Sequence, residues 1–299
     1  MIQAETGRPV ERVKLAFRLE SDASFSFDTG VLKGKLHAGG KSLGLTEVIH
    51  QSTGVRLDKD PGLLDLYRLF AGRRRFLPDV RDFPSTVRVL KDGRAEISWD
   101  AADGRPFELK AVYRWIDPAT VEMELTVTSR AELAAFEVFQ SSYASPGFSS
   151  CRLYCSQQGE SKTAAGFLVA DQSLGDWLMA PRKLEAVALI QDGRWKNEPY
   201  PVDWKILPAY ALPLSIRRDP VSGLSLLFMT RPEDCLAVST PQEKDDHTSL
   251  YFSLFGGDIR QGNSRRAIVR MVVSSTLTDR KALEIGRAFL AGQRAAQQR

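Results

Sequence analysis

Residues 94–129 decide the fold and read RAEISWDAADGRPFELKAVYRWIDPATVEMELTVTS. Apolar and polar side chains alternate with a period of two in residues 94–99, 108–115 and 121–129. Successive side chains of a strand point to opposite faces, so each run predicts a β-strand with one buried and one wet face. Asp103-Gly104, a common turn sequence, stands between the first two runs. The stretch therefore predicts an antiparallel sheet.

The rest of the chain also consists mainly of short predicted strands separated by turns. Short apolar runs between Gly/Pro-rich turns predict further strands at residues 184–190, 224–229, 250–255 and 267–273. Helical signals are few: Thr278 is placed to cap a helix over 279–293, and residues 63–70 are either one short helix or an irregular loop. Many short strands favour a large, two-sheet, all-β antiparallel core.

Composition supports one large domain of ordinary globular character. The chain has 299 residues, 43% of them hydrophobic and 26% charged, and contains no apolar run of the ~18 residues that a membrane span needs. No linker or repeat divides it. We expect residues 1–24 to form an N-terminal extension or edge strand, 25–277 a single domain, and 278–299 a C-terminal helix and tail.

The charge balance argues against a nucleic-acid partner. There are 41 Lys+Arg against 37 Asp+Glu, and the densest basic run is only Arg73-Arg74-Arg75, which is more typical of a solvated surface. The three cysteines follow no zinc-ligand spacing, which indicates free thiols and a reducing compartment. The N-terminus shows neither the basic nor the apolar region of a signal peptide, so a cytoplasmic location is expected.

Seven residues are predicted to belong to the core, because they are large, apolar and on one face of their strands. They are Trp99, Tyr113, Trp115, Leu125, Val127, Val269 and Met271.

Four features together resemble the galactose mutarotase-like superfamily, the aldose 1-epimerases and their relatives. They are a proline-glycine loop at 60–62 followed by arginines at 68 and 73–75, the strand pair 109–115 and 121–129, the stretch FEVFQSSY at 136–143, and GNSRR at 262–266. The resemblance covers about residues 25–275. It implies an antiparallel supersandwich with a short C-terminal helix, and a sugar site in a concave cleft.

The chain departs from that family where its chemistry lies. The epimerases that it resembles open the sugar ring with histidines and a carboxylate, but residues 136–143 contain no histidine and 250–255 no glutamate. Glu137 and Asp258 are the only carboxylates near the two places. Two hypotheses follow: an isomerase- or epimerase-like enzyme (less favoured, a lyase or glycoside hydrolase), or a non-catalytic carbohydrate-binding protein. A third is a structural or partner-binding β-sandwich, which is expected to have no pocket.

Asp192-Gly193-Arg194-Trp195, with Trp204 nearby, is the most site-like stretch. Sugars are held by aromatic faces and by charged groups that bond their hydroxyls, and this loop supplies both. The alternative is a turn whose tryptophan closes the edge of the sandwich.

His247, Arg68 and Glu137 complete the candidates. His247 follows Asp245-Asp246, and neighbouring acids raise a histidine pKa into the range of a general acid. The same acids are a weak calcium signal, more typical of a solvated loop. Arg68 and Glu137 each stand among apolar residues, so each either serves a ligand or pairs with the other as a structural ion pair.

The sequence therefore predicts a site for a small-molecule or oligosaccharide ligand, without metal or cofactor, and leaves the sugar and the oligomeric state open. The predicted catalytic residues are Glu137, His247 and Asp192. The predicted substrate-binding residues are Arg68, Gln140, Tyr143, Arg194 and Trp195.

Overall fold

A computed structural model describes residues 15–21, 23–40, 42–156, 165–242 and 247–297. Strands account for 56% of it and helix for 14%, which confirms the predicted all-β class. Asp245 and Asp246 lie outside the described residues. No helix in the described ranges has the length and apolar character needed to cross a bilayer.

The described elements are twenty-one strands, two α-helices and four 3-10 helices of three residues each, at Val80–Asp82, Gln172–Leu174, Arg194–Lys196 and Pro232–Asp234. The strands and α-helices are numbered here. In chain order they are β1 (Phe17–Ser21), β2 (Ser24–Asp28), β3 (Leu32–Gly39), β4 (Ser42–His50), β5 (Val55–Arg56), β6 (Asp65–Ala71), β7 (Arg74–Phe76), β8 (Thr86–Val89), β9 (Ala95–Trp99), β10 (Phe107–Asp117), β11 (Thr120–Ser129), β12 (Leu133–Tyr143), β13 (Ser150–Ser156), β14 (Ala165–Ala170), β15 (Trp177–Pro181), α1 (Leu184–Ile190), β16 (Lys205–Ile206), β17 (Tyr210–Arg218), β18 (Ser225–Thr230), β19 (Cys235–Pro241), β20 (Ser249–Ile259), β21 (Ser264–Ser274) and α2 (Asp279–Gln297).

The strands form three sheets. A five-stranded meander runs β1-β2-β3-β4-β5, a nine-stranded sheet runs β14-β13-β17-β18-β21-β11-β10-β9-β8, and a seven-stranded sheet runs β16-β15-β19-β20-β12-β6-β7. Among the described strands only β15 and β16 pair in parallel. The three runs of residues 94–129 are β9, β10 and β11, with Leu109 opposite both Trp99 and Val127. The predicted strands and turn of that stretch are confirmed.

The main core lies between the nine-stranded and seven-stranded sheets. Phe107 of the first packs edge-on against Phe76 and Phe136 of the second, with ring centroids 5.0 Å apart in each pair. All seven predicted core residues are buried, with Trp115 the most exposed at 8%. The three cysteines are buried free thiols, as predicted.

Two secondary-structure expectations are wrong. Leu184–Ile190 is helix α1, not a strand: its Leu, Glu and Ala residues favour helix, and Ala186 and Ile190, four apart, point inward while Leu184 is 84% exposed. Residues 63–70 are neither helix nor loop, because β6 pairs with both β12 and β7. A register shift at Tyr67 and burial of both faces remove the alternation that identifies a strand.

Helix α2 covers the outer face of the nine-stranded sheet. Its buried Phe289 and Ala282 pack with Leu214, Ile216 and Met229. Thr278 caps it as predicted, since its hydroxyl accepts from the Lys281 N–H at 3.2 Å. Helix α2 does not cover the outer face of the seven-stranded sheet, which packs against the chain segment from α1 to β16.

Trp99→Ala tests the predicted facing of β9. Trp99 is 1% exposed, so its truncation is expected to lower the free energy of unfolding in urea by about 3–5 kcal/mol. Val221→Ala, at a side chain that is 95% exposed, is the control and is expected to stay within about 0.5 kcal/mol. Equal unfolding midpoints for the two variants would contradict the packing described.

Candidate functional site

Alternate residues of β12, β6 and β20 share the outer face of the seven-stranded sheet. Phe139 of β12 stands opposite Arg68 of β6 and Ser253 of β20, and Ser141 stands opposite Asp65 and Tyr251. Directly paired residues of antiparallel strands point to the same side. The register therefore brings residues more than a hundred positions apart to one surface.

A cavity of about 440 Å³ opens on this face. The chain segment from α1 to β16 covers the sheet beside it, through Ala186, Ile190 and Trp195. Twelve residues line the cavity: Tyr67, Arg68, Phe139, Tyr143, Trp177, Trp195, Tyr200, Pro201, Val202, Trp204, His247 and Tyr251. The third hypothesis, a sandwich without a pocket, does not describe this face.

The wall of the cavity is a connected cluster of aromatic rings. Trp195 packs against Phe139 and Trp204, with centroids 4.7 and 5.2 Å away. Trp204 continues the chain of contacts to Trp177 at 5.6 Å, and Phe139 to Tyr251 at 4.6 Å. Each ring is held by its neighbours, so the apolar surface is fixed before any ligand enters.

Arg68 is the cation of the cavity and is only 4% exposed. Its Nη2 donates to the Tyr200 carbonyl at 2.9 Å, and its guanidinium carbon lies 5.5 Å from the centre of the Trp195 ring. No described residue offers a hydrogen-bond partner to Nε or Nη1 of Arg68. The alternative pairing of Arg68 with Glu137 is not found in the described residues.

Two neighbouring arginines fix the segment that borders the cavity. Arg68 holds the Tyr200 carbonyl, and Arg75 of β7 donates to the Pro199 carbonyl at 2.5 Å. The second arginine is itself paired with Asp79 at 2.7 Å. The position of Tyr200, whose side chain is exposed, therefore depends on charges from β6 and β7.

His247 lines the cavity beside Tyr143, Trp177 and Tyr251. Its Nε2 hydrogen-bonds the Tyr251 hydroxyl at 3.0 Å, and its ring stacks on Tyr143 at 5.6 Å and meets Trp177 edge-on at 5.5 Å. Burial raises the pKa of Tyr143 to about 12, so that hydroxyl stays protonated at neutral pH.

Three of the predicted site residues form a buried ion cluster outside the cavity lining. Arg194 donates from Nη1 to Glu137 at 3.1 Å and from Nη2 to Asp192 at 3.0 Å. The side chains of Arg194 and Glu137 are fully buried, and burial raises the pKa of Glu137. The cluster ties the loop at 192–195 to strand β12. The structure thus gives Glu137 an ion-pair partner, but that partner is Arg194.

Asp65 lies on the same face of the sheet and is completely buried. Its Oδ2 accepts from Arg81 at 2.8 Å and from the Ser141 hydroxyl at 3.1 Å. Burial outweighs these contacts and raises the pKa of Asp65 to about 7. Arg81 in turn lies over the Tyr67 ring, 4.5 Å from its centre, so this pair supports one wall of the cavity.

The structure brings together half of the predicted site residues. Arg68, Tyr143, Trp195 and His247 line one cavity, so the segments that carry them converge. Glu137, Asp192, Arg194 and Gln140 do not line it. Gln140 points to the other face, where its amide nitrogen bonds the Ser141 carbonyl and the Ser142 hydroxyl.

Sequence reasoning missed Tyr67, Trp177 and Tyr251 as lining residues. Tyr251 had a signal, since it alternates with the buried Leu250 and Phe252 in a predicted strand. Tyr67 precedes Arg68 but lies at the register shift of β6, where the alternation fails. Trp177 has no local signal, because pairing of β15 with β19 alone brings it to the site.

Within the described residues, no group of three or more His, Cys, Asp or Glu side chains is placed to hold a metal ion. A second cavity, of about 540 Å³, lies elsewhere and is lined in part by Phe76, Phe83, Asp100 and Arg105.

Comparison with solved structures identifies the fold. A galactose mutarotase-related enzyme from Lactobacillus acidophilus superposes with a TM-score of 0.53 at 10% identity, over 86% of this chain and 99% of the other. The chain has the galactose mutarotase-like fold. An aldose epimerase homologue from C. elegans gives 0.50 at 8% identity, over 85% and 99% of the two chains.

A larger enzyme shares the same fold over part of its length. The alpha-N-acetylgalactosaminidase of Bifidobacterium bifidum gives a TM-score of 0.52 at 10% identity, over 92% of this chain and 39% of the enzyme. The supersandwich predicted from the sequence is confirmed. No protein-family model and no curated protein sequence matches the chain.

Arg194→Met tests the buried ion cluster. It leaves Glu137 charged and unpaired in the interior, so the free energy of unfolding in urea is expected to fall by about 3–5 kcal/mol. Adding Glu137→Gln removes that charge and is expected to recover part of the loss. Arg130→Met breaks the exposed pair with Glu108 and serves as the control, with a cost below about 1 kcal/mol. Equal costs for Arg194→Met and Arg130→Met would contradict the structural role assigned.

Asp65 predicts a pH dependence of stability. Between its ordinary pKa of about 4 and its folded value of about 7, the folded state holds a proton that the unfolded state has released. The free energy of unfolding therefore falls as pH rises through this window, by up to about 1.4 kcal/mol per pH unit. Urea unfolding of the wild type and Asp65→Asn from pH 4 to 8 checks this. The difference in the free energy of unfolding between the wild type and Asp65→Asn is expected to change with pH. Parallel pH profiles of the two proteins would contradict the raised pKa of Asp65.

Proposed function

We propose that this chain binds a carbohydrate in the aromatic cavity on the outer face of the seven-stranded sheet. The observation that carries the proposal is the composition of that cavity: half-buried aromatic rings stand beside buried polar groups that lack partners. Tyr67, Tyr143 and Trp177 line the cavity and are half-buried, so part of each aromatic side chain is accessible for contact with the C–H surfaces of a sugar. The cavity volume, about 440 Å³, is that of an ordinary small-molecule site.

Polar groups at the cavity supply the second requirement of a sugar site. The indole N–H groups of Trp195 and Trp204, and Nε and Nη1 of Arg68, are buried and have no hydrogen-bond partner in the part of the chain that the structure describes. A buried donor without an acceptor costs free energy, so these donors give the residues around the cavity a capacity to bind oxygen atoms. The names of the solved structures with this fold, a mutarotase-related enzyme and an alpha-N-acetylgalactosaminidase, agree with a sugar ligand.

Binding is favoured over ring-opening catalysis by what faces the cavity. Ring opening needs one group to protonate the ring oxygen and another to take the anomeric proton. Among the described residues, no carboxylate lines the cavity, and the lining contains besides His247 one cationic side chain, Arg68, whose guanidinium has no acceptor atom. The two carboxylates of the ion cluster, Glu137 and Asp192, are both committed to Arg194.

Mutarotation is the second candidate function, and one observation favours it. The Tyr251–His247 hydrogen bond orients the imidazole, as a general base requires. Polarimetry of freshly dissolved α-sugars separates the candidates. If His247 acts as the base, the wild type accelerates mutarotation and His247→Gln loses about 10²-fold or more. No acceleration of any sugar that binds would leave binding alone.

Titration of tryptophan fluorescence tests the proposal, because three of the five tryptophans line the cavity. A panel of neutral and acidic mono- and disaccharides is expected to contain at least one sugar that changes the emission saturably. Trp177→Leu is expected to weaken its binding about fivefold or more, through the lost ring face.

Phe167→Leu is the matched control. Phe167 is half-buried beside Tyr154 on the helix-covered face of the nine-stranded sheet, away from the cavity, so this variant is expected to bind like the wild type. A panel with no binding sugar, or equal losses in both variants, would refute a carbohydrate site here.

A further inference from the structure

Arg68 is a buried charge without a countercharge. Its side chain is 4% exposed, and no carboxylate of the described residues lies within 4.0 Å of the guanidinium. The neighbouring arginines differ, since Arg75 pairs with Asp79 and Arg81 with Asp65, at 2.7 and 2.8 Å. Burying an unpaired charge is costly, so such a group is normally paired or functional.

The buried polar atoms of the lining residues that lack a hydrogen-bond partner among the described residues are all donors. Among the lining residues, the buried side-chain atoms without partners are Nε and Nη1 of Arg68 and the indole nitrogens of Trp195 and Trp204. The two guanidinium atoms alone carry three N–H groups. A neutral sugar hydroxyl both donates and accepts, whereas a carboxylate or sulfate oxygen only accepts. These donors are therefore best satisfied by a ligand group that only accepts hydrogen bonds.

The surroundings of Tyr67 add positive charge at the same end of the cavity. The guanidinium carbons of Arg68, Arg75 and Arg81 lie 4.9, 6.0 and 4.5 Å from the centre of its ring. Asp79 balances the charge of Arg75, whereas Arg81 faces only Asp65, whose pKa burial raises to about 7. The excess positive charge at this end therefore comes from Arg68 and Arg81.

We infer that the sugar bound in this cavity is an acidic one, whose carboxylate or sulfate group accepts hydrogen bonds from Arg68. The inference rests on the proposed function and names its ligand class. The Tyr200 carbonyl, which now accepts from Nη2, marks where an oxygen acceptor sits against this guanidinium. Arginine suits such a role because its planar, permanently charged fork binds oxyanions through charge-assisted hydrogen bonds.

Matched sugars test the inference on the wild-type chain. Galacturonate is compared with galactose and with the methyl ester of galacturonate, glucuronate with glucose, and galactose 6-sulfate with galactose, each by fluorescence titration. In at least one series the acid is expected to bind about tenfold or more tightly than its neutral partners. Its affinity is expected to fall as NaCl rises, while that of the neutral sugar stays constant. The carboxylate and sulfate arms show which anion is preferred.

Arg68→Gln and Arg75→Gln separate anion binding from anchoring of the loop. Both variants lose a donor to the 199–200 segment, but Arg75 does not line the cavity and already has Asp79 as its countercharge. Arg68→Gln is expected to abolish the preference, so that acid and neutral partner bind within about threefold of each other. Arg75→Gln is expected to keep the preference for the acid over its neutral partner.

The outcomes are distinguishable. Neutral sugars that bind as tightly as their acids, without salt dependence, would overturn the inference and leave the proposed function standing. A panel in which nothing binds would overturn both. Equal loss of the preference in Arg68→Gln and Arg75→Gln would assign it to the loop and overturn the inference. If Arg68→Gln does not fold, the salt dependence and the acid-to-ester ratio of the wild type decide alone.

Discussion

Both faces of the seven-stranded sheet must be buried, and the rest of the structure follows from how each is covered. The inner face packs on the nine-stranded sheet, where Phe107 meets Phe76 and Phe136. The outer face is covered by the segment from α1 to β16, which places Trp195 against Phe139. This cover is incomplete, and the gap it leaves is the aromatic cavity. The candidate site is thus a consequence of how the sheet is closed.

Two buried arginines on either side of this segment, Arg194 and Arg68, differ in how their charge is compensated. Beneath it, Arg194 is matched by Glu137 and Asp192, so its charge is compensated in the interior. At the cavity, Arg68 has a single carbonyl partner and no carboxylate among the described residues. A protein gains nothing in stability from an unmatched buried cation, so this contrast points to a role in binding.

Local patterns predicted the fold well, because a period of two with turn sequences is a local property. Strands β9, β10 and β11 alternate apolar with polar residues, so they are visible in the sequence, although Glu96 and Glu122 of the polar face are buried in ion pairs with arginines. Strand β6 has both faces buried and a register shift, and its pattern resembles no strand. The run LEAVALI is apolar enough for a strand, but its Leu, Glu and Ala residues favour helix, and the inward-facing Ala186 and Ile190 are four positions apart.

Only part of the site could be predicted from the sequence, as the contrast between Arg68 and Glu137 shows. Arg68 and Glu137 both looked like isolated charges among apolar neighbours, yet one lines the cavity and the other pairs with Arg194. Which of them finds a partner depends on sheet register and on how the 192–204 loop folds back. Those are long-range contacts, and no local spacing encodes them. Trp177 reaches the site through strand pairing alone.

The central claim is that the aromatic cavity, and not another surface, holds the ligand. Crystals soaked with the panel of acidic and neutral sugars test it most directly. The account predicts ring-shaped density against Trp177 and Tyr143, with an oxygen of the sugar within hydrogen-bond distance of Arg68. Density in the larger cavity beside Phe83 and Arg105 instead, or saturable binding in solution with no density beside Arg68, would contradict it.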